Sequence, residues 1–138
     1  MKILYSTTAT ATGEGRNGHT ATEDGLVDVD VRVPKEMGGE GGATNPEQLF
    51  AAGYAACFHS ALKLVAPTMK IDATDSAVSV TVGLGMLEGG AFNVALEIDV
   101  HVPNASNEEA QALVERAHEV CPYSNATRGN VEVKLGVN

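Results

Sequence analysis

The chain has 138 residues, of which 43% are hydrophobic, and this suits one globular domain with a buried core. Its 18 acidic and 9 basic residues give a formal charge of −9, which would repel nucleic-acid phosphates and anionic lipid headgroups. We therefore expect a single domain over residues 1–138, with neither nucleic acid nor a membrane as a partner. Because no signal peptide and no bilayer-spanning apolar run is found, we expect a cytoplasmic protein.

The first third of the chain is predicted to be β-structure. Residues 2–12 are rich in threonine and other β-formers, and a glycine-rich turn follows at residues 13–18. Apolar and polar residues alternate strictly from Leu26 to Val33, which is typical of a half-buried strand. Residues 35–44 contain too much glycine for regular structure and are predicted to form a connecting loop.

Residues 45–66 predict a long central helix around which the rest of the fold is organised. Asn45 is a favourable N-cap, Pro46 suits the first helical position, and Gln48 can close a capping box. Only three clearly polar side chains interrupt residues 49–66, so the helix has no broad polar stripe and should be buried nearly all round. Small residues near its middle permit a close approach of a sheet or a second helix; they are Ala51, Ala52, Gly53, Ala55 and Ala56.

The second half of the chain is predicted to contain strands and a second helix. Residues 77–84 and 92–102 alternate apolar with polar or small residues, and Glu88-Gly89-Gly90 between them marks a hairpin. Ser106 and Glu109 predict a capping box for an amphipathic helix that ends at Val120. A turn-forming segment at 121–130 and a strand at 131–135 follow. This order predicts an α+β fold with antiparallel sheets around the buried central helix.

The two cysteines are the strongest candidates for chemistry. Cys57 and Cys121 lie 64 positions apart, and the four histidines show no ligand spacing, so we expect neither a metal nor a cofactor. Cys57 lies beyond the helix turn over which the dipole acts, so a reactive thiolate there needs a cation from elsewhere in the fold. Arg16 and Arg128, each in a glycine-containing turn, are the better candidates. The alternative is that Cys57 is only a small buried apolar residue.

Three segments resemble signature segments of the organic hydroperoxide resistance proteins, the Ohr branch of the Ohr/OsmC family. They are PKEMGG at 34–39, NPEQLFAAGYAACF at 45–58 and VCPYSNATRGN at 120–130, and the similarity runs in register over nearly the whole chain. The resemblance implies an OsmC-like α+β fold and an intertwined homodimer. It also implies a dithiol peroxidase in which Cys57 is the peroxidatic residue, Cys121 is the resolving residue, and Arg16 and Glu47 activate the peroxidatic thiolate.

The reaction implied by this resemblance is the reduction of organic hydroperoxides to alcohols, which protects against oxidative stress. Cys57 would become a sulfenic acid, then form a disulfide with Cys121, and a dithiol, for which the family suggests a lipoylated protein, would reset the pair. The side chains expected to hold an alkyl or fatty-acyl tail, with core packing as the alternative, are those of Leu49, Phe50, Tyr54 and Phe58. Two other functions stay open: a peroxide-sensing or ligand-binding module without turnover, and a general OsmC-type stress protein.

Helix geometry adds a prediction about the dimer. Glu47 and Cys57 are ten residues apart, which separates them by about 15 Å along the helix axis and by some 80° around it. They therefore cannot share a site within one helix. A two-fold axis near the middle of two antiparallel central helices would bring Glu47 of one chain beside Cys57 of the other. We expect two sites, each combining Cys57 and Cys121 of one chain with Glu47, with or without Arg16, of the other.

Overall fold

The computed structural model describes all of residues 1–138 and confirms the α+β class. In chain order the elements are β1 (Ala9–Glu14), β2 (Asn17–Thr22), β3 (Asp28–Asp30), a 3₁₀ helix (Lys35–Met37), α1 (Pro46–Val65), β4 (Ala77–Met86), β5 (Phe92–His101), α2 (Asn107–Val120), α3 (Pro122–Thr127) and β6 (Val133–Val137). The chain divides into two compact units, residues 1–49 and 50–138, and the boundary falls inside α1. That the whole chain is one domain stays a prediction.

The first unit contains a three-stranded antiparallel sheet in the order β1-β2-β3. Glu14 pairs with Asn17, which leaves Gly15 and Arg16 as a two-residue hairpin turn. Gly15 has a φ of +60°, as hairpin turns of this length require. A Cβ atom on Gly18 would lie 2.1 Å from the carbonyl oxygen of Thr12, so only glycine fits beside this turn. The sequence pattern thus predicts the turn correctly.

Two predicted strands in this unit are too long. Residues 1–8 form no regular structure, because the regular pairing of β1 with β2 ends at Ala9 and Thr22. β3 covers only three of the residues predicted from 26 to 33, because its regular pairing with β2 ends at Asp30. Val31 still donates its N–H to the Gly18 carbonyl of β2 at 3.0 Å, and it also forms an isolated parallel bridge with Thr44.

Helix α1 begins as predicted. The Asn45 side chain accepts the backbone N–H of Gln48 at 2.9 Å, and Pro46 is the first helical residue. The predicted capping box does not form, because the Gln48 side chain accepts a hydrogen bond from the Thr44 hydroxyl at 2.8 Å instead of reaching back to Asn45.

The single chain buries only one side of α1, which is less than the sequence predicts. The buried residues are Tyr54, Phe58, Ala61, Leu62 and Val65. An exposed stripe at four-residue spacing runs along the helix and consists of Ala52, Ala56, Ser60 and Leu64, the last of which is 67% exposed. Three of these four residues are apolar, so this side of the helix carries little polar surface.

The second unit contains a mixed sheet in the order β4-β5-β6. β4 and β5 form the predicted antiparallel hairpin, with positive φ angles at Gly89 and Gly90 in its turn. The predicted apolar face of β5 is buried, with Leu96, Ile98 and Val100 in the core. β6 pairs with β5 in parallel, because the crossover through α2 and α3 returns the chain in the same direction. The predicted capping box of α2 forms between Ser106 and Glu109.

The segment predicted as a turn after Cys121 instead contains the short helix α3. Pro122 is its first residue, where a missing N–H costs nothing, and the N–H of Asn125 bonds to the Cys121 carbonyl at 3.0 Å. The hydroxyl of the fully buried Tyr54 lies 2.9 Å from the Ser124 hydroxyl and 3.1 Å from that of Thr127. These buried contacts fix α3 against α1, and with it the position of Cys121.

Tyr54→Phe should lower the free energy of unfolding by about 1–2 kcal/mol, because the buried Ser124 hydroxyl loses its partner. Urea denaturation at constant protein concentration measures this change. Tyr5, which is 77% exposed, supplies a matched control, and Tyr5→Phe should change the stability by less than about 0.5 kcal/mol. Equal stability of Tyr54→Phe and wild type would contradict this account of how α3 is held.

Candidate active site

The second unit brings the two cysteines together. Cys57 is half-buried on α1, and Cys121 is fully buried at the junction of α2 and α3. Both are free thiols, and the Cys121 Sγ donates a weak hydrogen bond to the Cys57 Sγ at 3.8 Å. A disulfide needs a separation of about 2.05 Å, so a shift of less than about 2 Å would join the two sulfurs.

The surroundings of Cys57 within this unit do not favour its thiolate. Burial raises the pKa of the Cys57 thiol, the backbone N–H of Tyr123 opposes this increase, and the neighbouring Cys121 adds to it. Within residues 50–138, no cation acts on the Cys57 sulfur. A reactive thiolate at this position therefore needs positive charge from outside these residues.

The first unit pairs Arg16 with Glu47. The guanidinium of Arg16 donates two parallel hydrogen bonds to the Glu47 carboxylate, at 2.8 and 2.6 Å. This contact lowers the pKa of Glu47 and raises that of Arg16. The Glu47 side chain is 17% exposed and that of Arg16 is 38% exposed, so the acid is the more enclosed partner. A fork of two charge-assisted bonds fixes the orientation of the guanidinium as well as its position.

Arg128, the alternative candidate, has other partners. Its guanidinium donates to the carbonyl of His118 at 2.9 Å and to the side chain of Asn125. These bonds tie the end of α3 to one of the last carbonyls of α2. Arg128 thus connects the ends of α2 and α3.

A cleft of about 350 Å³ in the second unit adjoins Tyr123. Its lining residues are Phe50, Asn93, Val94, Tyr123, Ala126, Thr127, Asn130 and Val131. Tyr123 connects this cleft to the thiols, because its backbone N–H acts on Cys57 while the residue also forms part of the wall. Gly53 allows this placement, since a Cβ atom there would lie 3.3 Å from the Tyr123 hydroxyl.

Only one of the four side chains predicted to hold a substrate tail lines this cleft. Phe50 lines the cleft, but Tyr54 and Phe58 are fully buried in the core and do not line it. Leu49 is partly buried and belongs to the first unit. Sequence reasoning missed Tyr123, although proline directly after Cys121 is a helix-start signal that would have indicated a structured segment there.

Two histidines have shifted pKa values of opposite sign. Burial, with the charge of Arg128 adding to it, lowers the pKa of His118, whose Nδ1 is buried without a hydrogen-bond partner. Hydrogen bonds to Asp30 and Asp28 raise the pKa of His19, whose ring nitrogens lie 2.8 and 2.6 Å from those carboxylates.

No group of three or more His, Cys, Asp or Glu side chains is arranged to hold a metal ion. None of the helices combines the length and apolar character needed to cross a bilayer.

The chain belongs to the OsmC-like protein family, whose model matches residues 39–136, and within it to the organic hydroperoxide resistance branch. It is 49% identical over 136 residues to the organic hydroperoxide resistance protein of Xanthomonas axonopodis pv. citri, with 97% of this chain and 94% of that protein covered. These findings confirm the resemblance seen in the sequence.

Crystal structures of similar proteins confirm the OsmC-like fold. The organic hydroperoxide resistance protein of Legionella pneumophila superimposes with a TM-score of 0.94 at 54% identity, over 99% of both chains. A putative organic hydroperoxide resistance protein of Vibrio cholerae gives a TM-score of 0.93 at 48% identity, over 100% of this chain and 94% of that one. Sequence and structure therefore place this chain among proteins named for resistance to organic hydroperoxides.

The two histidines should give opposite pH dependences of stability. His118 has a lowered pKa in the folded state, so its contribution is present above its unfolded value of 6.5 and is lost as the pH falls through the folded pKa. His19 has a raised pKa, so its contribution is present below 6.5 and is lost as the pH rises through the folded pKa. Urea denaturation of His118→Gln, His19→Gln and wild type, carried out at pH values below and above 6.5, measures both pH dependences. Identical pH profiles for the three proteins would contradict these assignments.

Proposed function

We propose that this protein is a Cys-based dithiol peroxidase that reduces organic hydroperoxides to alcohols. The observation that carries the proposal is the pair of free thiols 3.8 Å apart in a member of the organic hydroperoxide resistance branch. Cys57 is the peroxidatic residue, because it is partly exposed while Cys121 is fully buried and out of reach of a substrate. The reducing cytoplasm, where such thiols are kept reduced, is the compartment that suits this chemistry.

The reaction runs in three balanced steps. The Cys57 thiolate attacks one oxygen of the hydroperoxide, the O–O bond breaks, the leaving alkoxide takes a proton to become an alcohol, and Cys57 becomes a sulfenic acid. The Cys121 thiol then attacks the Cys57 sulfur, and water leaves as the disulfide forms. A dithiol reductant, for which the family resemblance suggests a lipoylated protein, reduces this disulfide by two thiol exchanges and becomes oxidised itself.

Arg16 supplies the charge that this mechanism requires. Burial raises the pKa of Cys57, so the thiolate needs a cation, and Arg128 is engaged at the end of α2. A guanidinium favours both the thiolate and the developing alkoxide. Glu47 has a positioning role, since its two bonds hold the Arg16 guanidinium in one orientation.

Each site combines Cys57 and Cys121 of one chain with Arg16 and Glu47 of a second chain in an isologous homodimer. Ten residues of helix, or about 15 Å, separate Glu47 from Cys57 along α1, and a two-fold axis removes this separation. The exposed stripe on α1, at Ala52, Ala56, Ser60 and Leu64, offers a surface for the second copy. The Vibrio cholerae structure has captopril bound in one of the active sites.

The apolar cleft beside Tyr123 is suited to the substrate tail. At about 350 Å³ it is of a size that holds an alkyl chain, and Phe50, Val94 and Val131 give it apolar walls. We assign it to the alkyl or fatty-acyl part of an organic hydroperoxide.

The two cysteines should have separable roles. Cys57→Ser should abolish peroxide reduction, whereas Cys121→Ser should reduce one equivalent and then stop as a sulfenic acid or mixed disulfide. Stopped-flow and steady-state assays with cumene hydroperoxide and dihydrolipoamide measure both behaviours. Repeated turnover by Cys57→Ser would overturn the mechanism, and wild-type protein that forms the disulfide without turnover would be a sensor instead.

Mixing two inactive variants tests the shared site. Cys57→Ser and Glu47→Ala proteins, dissociated and reassociated together, should recover about a quarter of the wild-type rate, because half of the dimers are mixed and each has one complete site. A mixture of Cys57→Ser with Cys121→Ser is the control and should stay inactive, since both thiols of a site come from one chain. Failure of the first mixture despite verified subunit exchange would mean that Glu47 does not act across chains.

A further inference from the structure

Arg32 hydrogen-bonds to two segments, one that carries Arg16 and one that precedes Glu47. Its side chain points toward the Arg16 hairpin, where Nη1 donates to the carbonyl oxygens of Gly18 at 3.0 Å and Val31 at 2.6 Å. Its backbone N–H donates to the carbonyl of Thr44 at 2.9 Å. One residue thus holds two segments that are far apart in sequence.

The first of these segments carries Arg16. Gly18 follows the Arg16 turn by two residues, and its carbonyl accepts both the Arg32 guanidinium and the Val31 N–H, the latter at 3.0 Å. A bond of 3.2 Å from the Val33 N–H to the Asn17 side chain supports the same turn. The turn has only two residues and is closed by β1 and β2. The position of Arg16 therefore depends on these contacts of Asn17 and Gly18.

The second segment carries Glu47. Thr44 directly precedes the N-cap Asn45, and its hydroxyl donates to the Gln48 side chain at 2.8 Å. Glu47 lies on the first helical turn that these contacts define. The backbone N–H of Arg32 therefore holds the segment that leads to Glu47, while its side chain holds the turn that carries Arg16.

We propose that Arg32 is a positioning residue that sets the Arg16 guanidinium against Glu47 and so presents it to the Cys57 sulfur. The inference rests on the proposed function, in which Arg16 activates Cys57. Arg32 touches no reacting atom in this scheme and acts only through Arg16. A planar guanidinium suits the role, because one terminal nitrogen bonds two carbonyls in fixed directions, which a flexible ammonium does less well.

The test uses full-length Cys121→Ser protein, so that only Cys57 is titrated. Arg32→Met should raise the apparent pKa of Cys57, measured from the pH dependence of its alkylation, and slow the reaction with cumene hydroperoxide about tenfold. Arg32→Lys, which keeps the charge, should fall between Arg32→Met and the parent. Arg116→Met is the matched control, since Arg116 pairs only with Glu119 on α2, and it should change neither quantity.

A double-mutant cycle separates positioning from a merely structural effect. Arg16→Ala should slow the peroxide step by a larger factor, and adding Arg32→Met to it should have no further effect, because Arg32 acts through Arg16. Additive losses, or a Cys57 pKa that Arg32→Met leaves unchanged, would overturn the role of Arg32 while leaving that of Arg16 intact. No effect of Arg16→Ala would overturn the activation scheme and this inference together. If Arg32→Met does not fold, the same cycle with Arg32→Lys decides the matter.

Discussion

Burial of the Cys57 thiol is the constraint on which the proposed chemistry depends. A thiol half-removed from water resists ionisation, and within the second unit only the Tyr123 N–H opposes this effect. The proposed chemistry therefore needs a cation from a segment outside residues 50–138. That cation also needs a fixed orientation to act on the Cys57 sulfur. The first unit contains such a cation in Arg16, which a carboxylate holds on one side and a closed hairpin holds on the other. In the proposed homodimer, this cation of one chain acts on the Cys57 thiol of the other.

Local signals in the sequence predict the helix starts and the buried strand well. Asn45 caps α1 and the Ser106–Glu109 box caps α2 because each interaction spans only three residues. The alternation along β5 likewise reports directly on which side chains are buried. These features depend on neighbours in sequence, so one sequence is enough to reveal them.

Features that depend on distant partners could not be predicted in the same way. β3 is shorter than its alternation suggests, and Val31 also pairs with Thr44, a contact that the alternation of polar and apolar residues does not reveal. The cleft combines side chains from α1, β5, α3 and the segment before β6, so the aromatic residues of α1 alone could not predict its lining. The sequence gives no sign of a role for Arg32, because its hydrogen bonds to Gly18 and Thr44 exist only in the folded chain. The residues alone indicated the two cysteines and left Arg16 and Arg128 as alternative cations. The separate roles of Cys57 and Cys121, the choice of Arg16 and the part played by Glu47 came from the family resemblance.

The complete burial of Cys121 has a consequence for the order in which reagents act. Attack on a disulfide goes to the sulfur that can be reached, and only Cys57 is partly exposed. In the proposed mechanism, the oxidant and the reductant therefore use the same sulfur and the same entrance, so neither can react while the other is bound. Such mutual exclusion produces ping-pong kinetics, in which the alcohol leaves before the dithiol enters. One inaccessible sulfur is thus sufficient to impose a fixed sequence of substrates.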